Sequence, residues 1–156
     1  MEFKKVTTLV ELHKLKQSLL DLNQYYPDFA HWYMNKVIPS VILNNDEVIL
    51  AMRHNEIAGI SIVKQSEKKL RCLRVFPNYQ KSGTLMYLID ESLKILDTDK
   101  PSCSVPEELI HGYSRTFVNR YFFDLTYVHK GLYRRNKLEY QFNGDERTLK
   151  ESELFI

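Results

Sequence analysis

A short loop between an apolar run and a helix-like run has the residue types of an anion-binding turn. The apolar run 70–76 ends at Pro77, the polar loop after it carries Lys81 and Gly83, and helix-spaced apolar residues follow at once. The first N–H groups of a helix lack intrahelical partners and lie at the positive end of the helix dipole, so a loop delivered there by a strand can bind phosphate oxygens. The order predicts a strand, a phosphate-binding loop and a helix.

Two common nucleotide-binding loops are excluded by the spacing. The segment has no Gly pair of the P-loop type followed by Lys-Ser or Lys-Thr, and it has no three-glycine dinucleotide fingerprint. A glycine in a strand-to-helix loop more often serves backbone geometry than a ligand. The loop therefore predicts phosphate binding without identifying the ligand.

The loop resembles the acetyl-CoA-binding motif of the GNAT family of N-acetyltransferases. In that family a strand ends in valine, one residue and proline, followed by an aromatic residue, Arg or Gln, two residues, Gly, one residue, and Gly or Ala. The matching residues here are Val75, Pro77, Tyr79, Gln80 and Gly83. The last position of the pattern is occupied by Leu85, which departs from it.

The resemblance implies a set of cofactor contacts. Backbone N–H groups from Gln80 to Leu85 are expected to hold the pyrophosphate of acetyl-CoA, and the end of the strand is expected to bind the pantetheine arm. His111 falls where family members often place an asparagine that touches the cofactor. The expected cofactor-binding residues are Leu73, Arg74, Val75, Gln80, Lys81, Ser82, Gly83, Thr84, Leu85 and His111. No metal site is expected.

Acetyl transfer to an amine requires a neutral amine, a polarised thioester carbonyl and a proton for the departing thiolate. Family members often carry a glutamate base on the fourth strand, but the corresponding run 69–74 has no carboxylate here. The usual tyrosine acid, aligned through Phe122-Phe123, falls on Val118. Tyr121 and Tyr113 on the same helix are possible substitutes that also fit a buried stripe. We predict Tyr121 as the general acid and assign no base.

An aromatic-rich segment follows the first predicted helix. Its second half, with Phe29, Trp32, Tyr33 and Val37 at helical spacing, predicts a helix limited by Pro39. Aromatic residues at this spacing are typical of a helix packed on a sheet. Alternatively, Tyr25, Tyr26 and Trp32 line a substrate cleft.

The remaining pattern predicts helices that pack on a sheet. Thr8 and Glu11 form a capping-box pair, and Ser104 and Glu107 form a second pair with Pro106 at the first helical position. The apolar stripes of these two helices comprise Leu12, Leu15, Leu19 and Leu22 in the first and Leu109, Tyr113, Phe117 and Tyr121 in the second. Strands are predicted at 3–7, 48–52, 57–63, 70–76 and 102–105, with a final hairpin over 125–142.

These elements predict an α/β (α+β) fold. One GNAT-type domain is expected at residues 1–144, with a mixed, mostly antiparallel sheet flanked by helices in the order β-α-α-β-β-β-α-β-α-β-β, and a polar C-terminal tail at 145–156. The resemblance further implies that the fourth and fifth strands splay apart and that the thioester arm lies in their gap.

Composition and charge limit the kinds of binding partner and the cellular location that we expect. With 22 Lys and Arg against 20 Asp and Glu, the net charge of +2 favours neither nucleic acid nor a membrane surface. Cys72 and Cys103 are far apart in the sequence and suggest neither a disulfide framework nor a zinc site, and the apolar run around Cys72 predicts that its thiol is buried. The start contains no apolar segment of signal-peptide type, which makes the cytoplasm the default location. Exposed edges of the predicted hairpins would allow a homodimer.

Two hypotheses about function remain. The first is an acetyl-CoA-dependent N-acetyltransferase that moves an acetyl group to a primary amine of an unidentified acceptor, by direct transfer in a ternary complex. The second is a weakly active or inactive GNAT-fold module that binds acyl-CoA or another protein. The intact motif around Val75 and Gly83 favours the first hypothesis, and the missing glutamate and tyrosine favour the second.

Overall fold

The computed structural model describes residues 1–144, which form strands and helices in alternating groups. The strands are β1 Glu2–Val6, β2 Asp46–Arg53, β3 Glu56–Lys64, β4 Lys69–Val75, β5 Cys103–Pro106, β6 Leu125–Lys130 and β7 Leu138–Phe142. The helices are α1 Leu9–Leu19, α2 Phe29–Trp32, α3 Ile38–Ile42, α4 Thr84–Leu96 and α5 Ile110–Arg115. The chain also contains short 3₁₀ turns at Leu20–Gln24, Gln65–Glu67 and Pro77–Tyr79 and π turns at Tyr33–Val37 and Thr116–Arg120. The predicted tail at 145–156 lies outside the described residues.

The strands form two antiparallel sheets that meet at one point. The first has the order β1-β2-β3-β4 and the second the order β5-β7-β6. A single parallel bridge joins them, in which the Leu70 N–H donates to Ser102 O and the Ser102 N–H donates to Lys68 O, both at 3.0 Å. Past this bridge no pairing between β4 and β5 occurs in residues 1–144, and their ends separate. The predicted α/β fold with a mixed, mostly antiparallel arrangement of strands is confirmed.

Helices cover both faces of the first sheet and create two hydrophobic cores. On β2, Val48 and Leu50 pack into the core under α1, α2 and α3, whereas Ile49 and Ala51 pack into the core shared by α4 and the second sheet. A strand buried on both faces contains consecutive apolar residues rather than an alternating pattern. This burial accounts for the continuous apolar run of β2.

A β-bulge distorts β4 near the bridge. Cys72 has φ 48°, and the register with β3 shifts between Ile60 and Ile62. As a result, Leu70 and Leu73 reach the same core although they are three residues apart, while Cys72 enters the opposite core. A bulge adds a residue and increases the local twist, which helps to turn the end of β4 away from β5. The sequence pattern did not predict it.

The first helix agrees with its sequence signals. Thr8 Oγ1 accepts a hydrogen bond from the Glu11 N–H at 3.2 Å, and its hydroxyl is 3.0 Å from Glu11 Oε1. The four predicted stripe residues, Leu12, Leu15, Leu19 and Leu22, are buried. Cys72 and Cys103 are both buried, and the burial of Cys72 was predicted from its apolar run.

The prediction that Pro39 limits the second helix was wrong, because the chain stays helical to Ile42. The Ile38 N–H donates to Tyr33 O, five residues back, which makes a π turn. The α-helical register therefore restarts at Ile38, and Pro39 lies in the first turn of α3. A proline costs no hydrogen bond there, since first-turn N–H groups have no intrahelical acceptor.

The second predicted capping box, Ser104 with Glu107, was also wrong. Ser104 and Pro106 belong to β5, and the Ser104 hydroxyl donates to Glu139. Glu107 continues the strand pairing, because its N–H donates to Leu138 O at 3.0 Å and its Oε1 accepts from the Leu138 N–H at 2.8 Å. Pairing with β7 thus takes the groups that a helix cap would need, and the helix begins at Ile110.

Across the part of the chain that the structure describes, no helix combines the length and apolar character needed to span a bilayer.

Candidate functional site

A cleft of about 530 Å³ opens beside the separated end of β4. One wall is formed by β4, the loop after it and the start of α4. The other is formed by α5 and the connection that leads into it. Its size is within the range of ordinary ligand sites. Six of the predicted cofactor-binding residues line it: Arg74, Val75, Gln80, Lys81, Gly83 and Leu85.

The other four predicted cofactor residues do not line the cleft. The Leu73 carbonyl accepts a hydrogen bond from Tyr113 at 2.8 Å. The hydroxyls of Ser82 and Thr84 lie 2.7 Å apart, and Thr84 is fully buried. His111 is exposed on α5. Their roles toward a cofactor stay predictions.

The loop into α4 contains two residues with left-handed backbone conformation. Lys81 and Gly83 have φ values of 61° and 85°. The first bond of α4 runs from the Tyr87 N–H to Gly83 O at 3.1 Å, so the three N–H groups before Tyr87 stand at the helix start without an intrahelical acceptor. A Cβ added at Gly83 would meet no atom within 4 Å, which leaves this side of the turn open.

Leu85, which departs from the family pattern, both lines the cleft and packs half-buried against the second core. Arg74 brings a positive charge to the same wall. Its guanidinium pairs with Asp21 and lies 5.8 Å from the centre of the Phe76 ring. Lys81 adds a second, exposed cation. The wall that carries the free N–H groups is therefore also the basic wall.

Tyr113 faces this wall from α5. Its hydroxyl donates to Leu73 O, and its ring packs against Phe117 with centroids 5.5 Å apart. Burial raises the pKa of Tyr113, so its hydroxyl stays protonated at neutral pH. Of the two tyrosines in the apolar stripe predicted for this helix, Tyr113 therefore lies in the cleft.

Tyr121 occupies a different place. Its hydroxyl donates to Asp90 Oδ1 at 2.7 Å, with Met86 O at 3.2 Å, and it does not belong to the cleft lining. Burial, followed by the hydrogen bond to Asp90, raises the pKa of Tyr121 to about 12. The structure separates the two tyrosines of this helix, and the assignment of Tyr121 as the acid stays a prediction.

The three aromatic residues predicted for the substrate wall are dispersed. Trp32 is buried under the Arg71 guanidinium, 5.0 Å from its ring centre. Tyr26 is buried and meets Tyr133 edge-on at 5.2 Å. Only Tyr25 is half-buried at the surface. Their contact with a substrate stays a prediction.

Arg134 connects three loops near Tyr25. Its guanidinium forms a two-bond pair with Glu108, both bonds at 2.7 Å, and Glu108 lines the cleft. It also lies 5.7 Å from the Tyr25 ring and 3.5 Å from Gln24 O. The bond to Arg134 lowers the pKa of Glu108. This carboxylate is therefore fully ionised at neutral pH.

Glu139 is a buried carboxyl that the sequence analysis missed. Its Oε2 accepts hydrogen bonds from Tyr26 at 2.8 Å and from Ser104 at 2.7 Å. Burial raises the pKa of Glu139 to about 7, against the opposing effect of the two hydroxyls. The alternation of Leu138, Tyr140 and Phe142 makes position 139 look solvent-facing. No local signal could show that both faces of β7 are covered.

Among the described residues, no group of three or more His, Cys, Asp or Glu side chains could hold a metal ion.

The fold is similar to solved acetyltransferase structures. A GNAT-family protein from Desulfovibrio desulfuricans matches with a TM-score of 0.68 and 16% identity, over 90% of this chain and 96% of that chain. Arabidopsis thaliana NAA60, solved with a bisubstrate analogue, matches with a TM-score of 0.64 and 16% identity, over 90% and 96%. A Bacillus subtilis acetyltransferase, solved with CoA, matches with 0.60 and 13%, also over 90% and 96%. No family model and no curated protein matches the sequence.

Proposed function

We propose that this chain, which has the fold of the GNAT acetyltransferases, is an acetyl-CoA-dependent N-acetyltransferase acting on a primary amine. One observation carries the proposal: the cleft lies beside the separated ends of β4 and β5 and is bounded by an open turn that carries Lys81 and the start of α4. The proteins of similar fold that were solved with CoA or a bisubstrate analogue support the choice of ligand.

The residues of the cleft suit the parts of acetyl-CoA. The pyrophosphate is negatively charged, and the start of α4 offers N–H groups together with the charge of Lys81. The pantetheine arm needs an extended partner, which the end of β4 at Arg74 and Val75 provides. Leu85 offers apolar contact without blocking Gly83, whose outer side is open.

The chemistry proposed is direct transfer with both substrates bound. The acceptor nitrogen attacks the thioester carbonyl carbon, the C–N bond forms and the C–S bond breaks, and the sulfur takes a proton. Tyr113 is the proton donor that we favour, because it lines the cleft and burial keeps its hydroxyl protonated. Holding both reactants in line supplies a further part of the rate.

Calorimetric titration with acetyl-CoA tests the cofactor step. We expect micromolar binding by the unchanged protein and about 100-fold weaker binding by Gly83→Glu, because a carboxylate at the turn repels the pyrophosphate. Gly83→Ala shares the backbone strain of a side chain at positive φ without the charge. Gly131→Glu is the matched control, since Gly131 also has a positive φ, 75°, and open space around its Cβ position.

A loss confined to Gly83→Glu supports binding at the turn. Equal losses in Gly83→Glu and Gly131→Glu would show that strain or net charge is responsible. No binding by the unchanged protein would overturn the transferase proposal and leave a fold that serves another purpose. Release of free CoA in the presence of a panel of primary amines then tests the transfer step.

A further inference from the structure

We infer that Glu139 accepts the proton of the acceptor amine in this reaction. The inference rests on the proposed function, and it supplies the base for which the fourth strand has no carboxylate.

Glu139 is 4% exposed and does not belong to the cleft lining, but the strand register places it level with the opening between the two sheets. In the second sheet its Cα partner on β5 is Pro106, the last residue of that strand. The parallel bridge between β4 and β5 is at the opposite end, at Ser102. Glu139 is therefore placed at the separated ends of the strands, beside the connection through which Glu108 reaches the cleft.

The two oxygens of the carboxyl have different surroundings. Both hydroxyl donors, Tyr26 and Ser104, converge on Oε2. Within residues 1–144, Oε1 receives no hydrogen bond. Tyr26, which precedes α2, and Ser104 on β5 hold Oε2 in place and so fix the direction of Oε1. Oε1 therefore remains able to accept a proton.

The charged groups around Glu139 come from every neighbouring segment. Arg134 in the β6–β7 loop lowers its pKa and Glu108 raises it, but burial has the largest effect. On β6 the cross-strand neighbour is His129, whose Nε2 lies 2.9 Å from Gln141 Oε1. The resulting pKa of about 7 lets the carboxylate accept a proton and release it again near neutral pH.

Glu108, the other carboxylate nearby, is a poor base. It lines the cleft, but the Arg134 guanidinium holds both of its oxygens and lowers its pKa. Two adjacent carboxyls whose environments push their pKa values apart have different roles. The ionised one stays paired with Arg134, and the one near neutrality takes the proton.

The proton and electron balance is complete. The ammonium group of the acceptor gives one proton to Glu139 Oε1, and the nitrogen lone pair forms the new C–N bond. The C–S bond electrons go to sulfur, which takes a proton from the Tyr113 hydroxyl. The second amine proton, released as the amide forms, restores Tyr113 through solvent, and Glu139 releases its proton to solvent.

The test compares Glu139→Gln with Glu107→Gln. Glutamine keeps an oxygen for the Tyr26 and Ser104 hydroxyls but cannot take a proton. Glu107 is a matched carboxyl at the same end of β5, and its amide would keep the bond from the Leu138 N–H. Kcat/KM is measured from pH 5.5 to 9.5 with a diamine, an aminoglycoside and a peptide with a free α-amino group, beside the acetyl-CoA Kd.

For Glu139→Gln we expect kcat/KM to fall about 100-fold at pH 7.5, with the acetyl-CoA Kd within about twofold of the original. The limb that rises through about pH 7 should disappear, and the rate should instead rise toward the pKa of the free amine, about 10. Glu107→Gln should keep the original profile. Tyr26→Phe and Ser104→Ala remove donors to the ionised form, so each should move the midpoint to higher pH.

Three results would be decisive. If Glu139→Gln keeps both the rate and the rising limb, Glu139 is not the base, while the transferase proposal stands. If Glu139→Gln does not fold, an unmoved midpoint in both Tyr26→Phe and Ser104→Ala overturns the inference instead. If the unchanged protein transfers acetyl to none of the amines, the proposed function fails, and the inference fails with it.

Discussion

The Tyr113 hydroxyl lies 2.8 Å from the backbone carbonyl oxygen of Leu73 and donates a hydrogen bond to it. Leu73 directly follows the bulge at Cys72, where β4 turns away from β5. The contact therefore joins α5 to β4 across the side of the cleft. It also places a protonated phenol beside the strand that we propose for the thioester arm.

Replacement of Tyr113 by Phe should reduce both stability and turnover. The lost hydrogen bond is expected to cost about 1 kcal/mol in the free energy of unfolding, measured by urea denaturation. Kcat is expected to fall about 100-fold, because the thiolate loses its proton donor. Tyr121→Phe loses the bond to Asp90 instead and is the comparison. A larger kcat loss in Tyr121→Phe than in Tyr113→Phe would restore the assignment made from the sequence.

Replacement of Arg134 by Met should lower the free energy of unfolding by an amount that depends on pH. Arg134 lowers the folded pKa of Glu108, so the pair stabilises the protein above the unfolded pKa of glutamate, about 4.3. The contribution is lost as pH falls through the lower, folded pKa. We expect a difference of about 0.5–1 kcal/mol at pH 7 that shrinks below about pH 4, since the pair is partly exposed.

Urea denaturation of both proteins across this pH range measures that difference. A difference that stays constant down to pH 3 would mean that the packing of Arg134 on Tyr25, and not its charge, supplies the stability.

The buried pair of Arg71 and Asp46 should show strong coupling. Both side chains are almost fully buried, they pair directly, and the guanidinium lies over Trp32. Arg71→Met leaves Asp46 buried without its partner, and we expect a loss of about 3–5 kcal/mol. Arg71→Met with Asp46→Leu removes both charges and should lose less than Arg71→Met alone. Additive losses in a double-mutant cycle would contradict this coupling.

A side chain at Gly59 should push apart β4 and α4, which form one wall of the cleft. A Cβ there would lie 2.7 Å from the Arg74 carbonyl oxygen and 2.7 Å from Leu88 Cδ1, between β4 and α4. We expect Gly59→Ala to lower the free energy of unfolding by about 1–3 kcal/mol and to weaken acetyl-CoA binding. Gly112→Ala, with open space at its Cβ position, is the control for stability and should not destabilise the protein. An unchanged free energy of unfolding in Gly59→Ala would contradict this prediction and show that β4 can shift to accommodate the added Cβ without cost.

Local patterns were sufficient for most elements and for one wall of the site. The capping pair of Thr8 and Glu11 and the stripe from Leu12 to Leu22 depend on contacts within one helix, and the structure confirms them. The turn from Gln80 to Gly83 is likewise a local feature, so its place in the cleft follows from its neighbours in sequence.

The two wrong predictions have different physical origins. At Ser104 and Glu107 the local pattern favoured a helix cap, but hydrogen bonds to β7, more than thirty residues away, extended the strand. At Pro39 a π turn just before the proline restarts the helical register, so the proline falls in a first turn and the chain stays helical. Local propensity is a weak preference that tertiary contacts of a few kcal/mol override.

The sequence by itself determined the succession of strands and helices, their apolar faces and the turn that leads into α4, because each depends on residues within a few positions of one another. Only the tertiary structure decided which of Tyr113 and Tyr121 faces the cleft, where β4 leaves β5, and that Glu139 is buried between Tyr26 and Ser104. Burial and charge at a site are sums over distant segments, so the pKa of Glu139 is a property of the folded chain and cannot be read from its neighbours in sequence.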